Sequence, residues 1–96
     1  MREAVAELVR LGPLPSEEDA TEPDLSKRSE LLLSIQKPAT NDEAEALARL
    51  FGPDGCYGLA WTLVHLIESA PGWPIIASLR GDGEWIQLLR HRARLP

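Results

Sequence analysis

One cysteine, two histidines, one tyrosine and one phenylalanine in 96 residues leave few groups with which to build chemistry. A lone Cys56 excludes an intramolecular disulfide and all but excludes a cysteine-based zinc site. Long apolar runs are missing as well. A membrane span needs about 20 apolar residues, and the greasiest stretch is interrupted by Thr62, His65 and Glu68. The opening MREAVAEL mixes acids with apolar residues and has no apolar segment of signal-peptide length, so a cytoplasmic protein is expected. Internal repeats, low-complexity stretches and domain linkers are also lacking, and the length suits one domain over residues 1–96.

What the chain does have is acid, unevenly placed. The net charge is −5; residues 1–48 hold eleven acids and five bases, whereas residues 49–96 hold four acids and five bases. Glu17, Glu18, Asp19, Glu22 and Asp24 form one acidic cluster and Asp42, Glu43 and Glu45 a second, while Arg90, Arg92 and Arg94 gather near residue 96. Nucleic acid is a poor partner for such a chain, because affinity there comes from neutralised phosphates. A basic protein is a better one.

Hydrophobic periodicity predicts an all-α fold: a compact bundle of about five short helices around a central apolar helix at residues 55–70. The first helix covers 3–11, with Val5, Leu8, Val9 and Leu11 on one face and Gly12-Pro13 as its stop. Residues 14–23 read as a loop holding a helical turn, capped by Ser16 and limited by Pro23. The next helix runs from a capping Asp24 to Gln36, with Leu25, Leu31, Leu32, Leu33 and Ile35 apolar. Thr40 with Glu43 has the form of a capping box, followed by Ala44, Leu47, Ala48 and Phe51 on one face. Gly52-Pro53 should end that helix, with the glycine left-handed. Asp54 then restarts a helix whose narrow stripe of Gly58, Thr62, His65 and Ser69 is its exposed edge or a tight crossing. A Pro-Gly-Trp-Pro corner closes it. A short helix over IIASLR and a last one capped by Asp82, with Trp85, Ile86, Leu88 and Leu89 inward, complete the bundle.

Candidate chemistry is thin. Cys56 in a helix's first turn would gain thiolate character, but His65 lies nine positions on, about 13 Å along a straight helix and on its far side. A structural cysteine is expected. His65 and Glu68 are helical neighbours at the spacing of some metal sites, yet no second such pair exists, so a hydrogen bond beside the core is the simpler reading. Trp61 is expected in the core, and Trp73 either caps the bundle or stands partly exposed. The glycines at 52, 55 and 58 lack the strand and lysine of a nucleotide loop, and Gly81-Asp82-Gly83 is too short for a phosphate cradle. No catalytic residue, cofactor or metal is assigned.

The stretch LFGPDGCYGLAWTLVHLIESAPGWP resembles a segment of small bacterial helical proteins, and the resemblance covers about residues 40–93. Proteins of that size and make-up resemble the immunity partners of bacterial polymorphic toxins. The resemblance implies a cytoplasmic, non-enzymatic protein that binds and neutralises a cognate toxin, and it carries no active site across. On that expectation Glu17, Glu18, Asp19, Glu22, Asp24, Asp42, Glu43 and Glu45 form the contact surface for a basic toxin domain, with neither nucleic acid nor membrane as partner. Two alternatives stand beside it. One is a self-associating adaptor or regulatory protein, a homodimer through the broad apolar surface of 55–70. The other is a small ligand-binding protein or enzyme using His65, Glu68 and a tryptophan-lined pocket.

Overall fold

Five helices and no strand make up the described part of the computed structural model, which covers residues 1–74, 79–81 and 83–93. They are α1 (Glu3–Leu11), α2 (Glu22–Ser34), α3 (Asn41–Leu47), α4 (Leu59–Glu68) and α5 (Glu84–Arg92). The fold is all-α. No helix among the described residues is long and apolar enough to cross a membrane. The expected helix over IIASLR and the expected cap Asp82 lie largely or wholly outside the described residues; of that stretch Leu79 is buried.

The core gathers around α4. Ala60, Leu63, Val64, Leu66 and Ile67 of this helix are buried, and it packs on α3 and α2, while α1 packs on α2 and α3. Leu89 of α5 is buried in the same cluster, with Trp85, Ile86 and Leu88 half-buried against it.

α4 is shorter than its hydrophobic pattern. The chain makes a tight 3-10 turn at Cys56–Gly58 first, with φ of 45° at Cys56, 53° at Tyr57 and 92° at Gly58. Left-handed angles at two non-glycine residues cost on the order of 1 kcal/mol each. Outside acceptors offset that cost: Asp54 Oδ1 takes the Cys56 N–H at 2.9 Å and Glu17 Oε2 takes the Tyr57 N–H at 2.9 Å.

The other departures have local causes. α2 starts at Glu22, because Thr21 Oγ1 accepts the Asp24 N–H and Pro23 sits in the first turn, where its missing N–H is harmless. Pro23 therefore belongs to the helix it was expected to precede, and Asp24 is not its cap. Leu33, one of the apolar positions expected for this helix, is 77% exposed, and Val9 faces out as well. Gly52 is not left-handed. A β-carbon there would lie 2.1 Å from the Leu14 carbonyl oxygen, so glycine is required by close approach of two backbones. The Leu14 N–H donates to Leu50 O at 2.8 Å beside it.

The expected capping box is present at α3: Thr40 Oγ1 accepts the Glu43 N–H at 3.1 Å and Glu43 Oε1 accepts the Thr40 N–H at 2.9 Å. Glu43 does more than cap. Its carboxylate also accepts from Arg2 N, Nε and Nη2 at 2.8–3.0 Å. The Arg2 guanidinium bonds the Gln36 and Pro38 carbonyls too, tying the start of α1 to the start of α3. Arg28 plays a similar part: buried, it holds Asp24 through Nε at 2.8 Å and donates to the Gly12 and Leu11 carbonyls that end α1. A cation at a helix C-terminus meets carbonyls with no intrahelical partner.

Candidate functional site

The acidic residues grouped by sequence are separated in space by their roles. Glu43 is fully buried and bonded on both oxygens, so it is not part of any contact surface. The Arg2 guanidinium holds its carboxyl well below the usual carboxylate range, against the opposing effect of burial. Asp24 is half-buried and engaged by Arg28. Glu45 is half-buried, and Asp42 is exposed at the first turn of α3.

Glu17, Glu18, Asp19 and Glu22 are exposed; the first three stand on a loop that is firmly held, and Glu22 opens α2 just after it. The Glu17 N–H donates to Asp54 Oδ2 at 3.0 Å, and the Tyr57 hydroxyl donates to the Glu17 carbonyl at 3.1 Å. Glu17 Oε2 receives the Tyr57 N–H, as described above. Ser16 caps the following turn by accepting the Asp19 N–H at 3.1 Å. The loop is thus pinned to the 54–57 turn on one side and to Leu50 on the other. Among the described residues, no cation pairs with Glu18, Asp19 or Glu22.

A second surface lies between α4 and α5, and it corrects the placement of Trp61. This side chain is 43% exposed. Trp61, His65 and Glu68 are spaced i, i+4, i+7, so they share the face of α4 that turns from the core. Trp85 meets Trp61 edge-on with ring centroids 5.5 Å apart and lies parallel to Phe51 at 5.6 Å. Arg92 stands 5.9 Å from the centre of the Trp61 ring and makes a two-pronged ion pair with Glu68 at 2.7 and 2.9 Å. His65 Nδ1 is 3.7 Å from Glu68, too far for a hydrogen bond, so the expected His–Glu bond is replaced by the Arg92 pair. Trp73, at the 71–74 corner, is half-buried against the core.

Beside this aromatic group is a hollow of about 530 Å³ at the end of α3 and the start of α5; Arg49, Phe51, Gly52, Arg80, Glu84 and Trp85 are among its walls. Sequence reading missed it, because Arg49 and Arg80 are isolated in sequence and only the fold brings them to one cavity.

Cys56 is buried, and burial together with the neighbouring Asp54 carboxylate pushes its thiol pKa up. That environment suits a packing residue and not a nucleophile. A thiol reagent such as Ellman's should therefore leave Cys56 unmodified over an hour under native conditions and modify it fully in denaturant; prompt native labelling would refute the burial argument. No group of three or more metal-ligating side chains occurs among the described residues. Comparison with protein-family models, with curated proteins and with solved structures finds no match in any of the three.

Proposed function

We infer that this is a non-catalytic protein-binding module of the cytoplasm, and most concretely a bacterial immunity protein that neutralises a basic toxin domain by direct binding. The observation that carries this reading is the anchored acidic loop. Glu18, Asp19 and Glu22 are exposed and pair with no cation among the described residues; Glu17, Tyr57, Asp54 and Ser16 fix the backbone that presents the first two, and the first turn of α2 presents Glu22. An interface whose backbone is already ordered loses less entropy on binding. Unpaired surface carboxylates speed encounter with a basic partner and mimic the phosphates that a nuclease site holds. The contact surface is accordingly Glu18, Asp19 and Glu22, with Glu17 as its anchor; Glu43 and Asp24 serve the fold.

Affinity capture at low salt, run in parallel with wild type and with Glu18→Lys/Asp19→Lys/Glu22→Lys, tests the reading. All three positions are exposed, so the variant keeps its fold. A basic partner held by wild type should bind the variant about 10- to 100-fold more weakly, with most of the difference gone in high salt. A partner retained equally by both proteins removes the loop from the account. Recovery of the protein alone shifts the assignment to self-association, which the exposed Trp61 favours as the second reading. Tryptophan is enriched at interface hot spots.

A further inference from the structure

We propose that the hollow between the end of α3 and the start of α5 is a binding site for a flat aromatic ring that carries an acidic group. Its volume of about 530 Å³ lies in the range of small-ligand sites. Two of its walls are rings, Phe51 and Trp85, stacked on each other with centroids 5.6 Å apart, too close to admit a third ring between them, so a ligand ring would lie against the pair from the hollow. Trp85 is fixed in place by its indole N–H, which donates to Asp54 O at 3.2 Å. Gly52 lines the same space and projects no side chain into it.

The charge argument is more specific. Arg2, Arg10, Arg28, Arg90 and Arg92 each donate to a carboxylate or a backbone carbonyl. Among the described residues, the arginines left without an acceptor are Arg49 and Arg80, and both line this one hollow. Both are exposed at its rim. Guanidinium groups match carboxylate and phosphate oxygens in a two-pronged geometry and also stack on rings. Glu84, exposed in the same wall, is the opposing charge. Among the described lining residues two cations stand against one carboxylate, which suits an anion, beside a wall suited to a ring. This site is independent of the acidic loop, and neither reading depends on the other.

A ring with an acidic group occurs both in small aromatic acids and in nucleotides, so the test uses one probe of each: benzoate and adenosine 5′-monophosphate. Inorganic phosphate serves as the probe without a ring and adenosine as the probe without a charge. Binding is followed by calorimetry and by the indole N–H resonances, with Trp73, which is not among the walls of the hollow, as the internal reference. The expected result is that at least one of the two ring-bearing anions shifts Trp85 and not Trp73. That probe should bind at least tenfold more tightly than phosphate and adenosine. Which of the two binds better identifies the source; equal binding assigns the shared chemistry. Arg49→Ala and Arg80→Ala, at exposed positions, should each weaken binding about tenfold, whereas Glu84→Gln should strengthen it about threefold. No shift of Trp85 by either ring-bearing anion at millimolar concentration overturns the proposal. So does affinity that both arginine variants retain, or binding matched by phosphate alone.

Discussion

Replacing Gly52 by alanine is expected to destabilise the protein by about 3 kcal/mol, the upper end of what overpacking usually costs. The new methyl group would meet the Leu14 carbonyl oxygen at 2.1 Å and its carbonyl carbon at 2.9 Å. Neither can rotate away, because both are backbone. Moving the Leu14 strand of chain would stretch its hydrogen bond to Leu50 and lift the buried Leu14 side chain out of the core. It would also disturb the acidic loop that begins there. Gly55→Ala is the control. Gly55 has φ −74° and ψ −11°, and a β-carbon there meets its nearest neighbour, Trp85, at an ordinary 3.8 Å. Alanine at a compatible position is neutral or stabilising by about 0.5 kcal/mol. Urea unfolding followed by tryptophan fluorescence separates the two variants. A Gly52→Ala midpoint equal to wild type would falsify the close-approach argument.

Glu43→Gln should cost about 2 kcal/mol: the Arg2 guanidinium loses its counter-charge but is 40% exposed, so the larger part comes from an amide NH2 placed where the buried carboxylate accepted hydrogen bonds. The carboxylate accepts from Arg2 N, Nε and Nη2 and from Thr40 N. Acid gives a second signature. The folded protein holds the Glu43 carboxyl well below its ordinary value of 4.5, chiefly through the Arg2 hydrogen bonds. As the pH falls through that value the unfolded chain takes up a proton and the folded one does not. The stabilisation is therefore complete above about pH 5 and drains away progressively below it. Glu7, lowered by Arg10, acts in the same direction but is more exposed, so its share is smaller. Between pH 7 and pH 3 the urea midpoint of wild type should fall distinctly more than that of Glu43→Gln. Parallel acid limbs in the two proteins would assign the loss to other carboxylates.

The capping box at Thr40 was legible in the sequence because its parts lie three residues apart. The burial of Glu43 was not, because the group that neutralises it is Arg2, 41 positions away. The same divide runs through the rest of the molecule. Periodicity located all five helices and the central place of residues 59–68. It overran the start of α4, since the left-handed turn at Cys56–Gly58 is held by Glu17 and Asp54. Trp61 was assigned to the core by its greasy neighbours, although its spacing to His65 and Glu68 already placed it on the polar side. Arg28 reads as an ordinary surface base until α1 ends against it. The acidic cluster was visible as composition. Which of its members face outward depended on contacts that no local pattern encodes.

The Arg2–Glu43 clamp also bears on how the chain comes to its fold during synthesis. Val5 and Leu8 give α1 an apolar face, yet the fastening at its first turn waits for an acceptor 41 residues further on. While a ribosome is still making α2, Arg2 has no carboxylate at position 43 to meet, and α1 and α2 have only each other and Arg28 to hold them. Local contacts come first, and the distant closure that locks them comes after, since it bears the entropy of a long loop. Emergence of α3 is therefore the point at which the first turn of α1 gains its fastening.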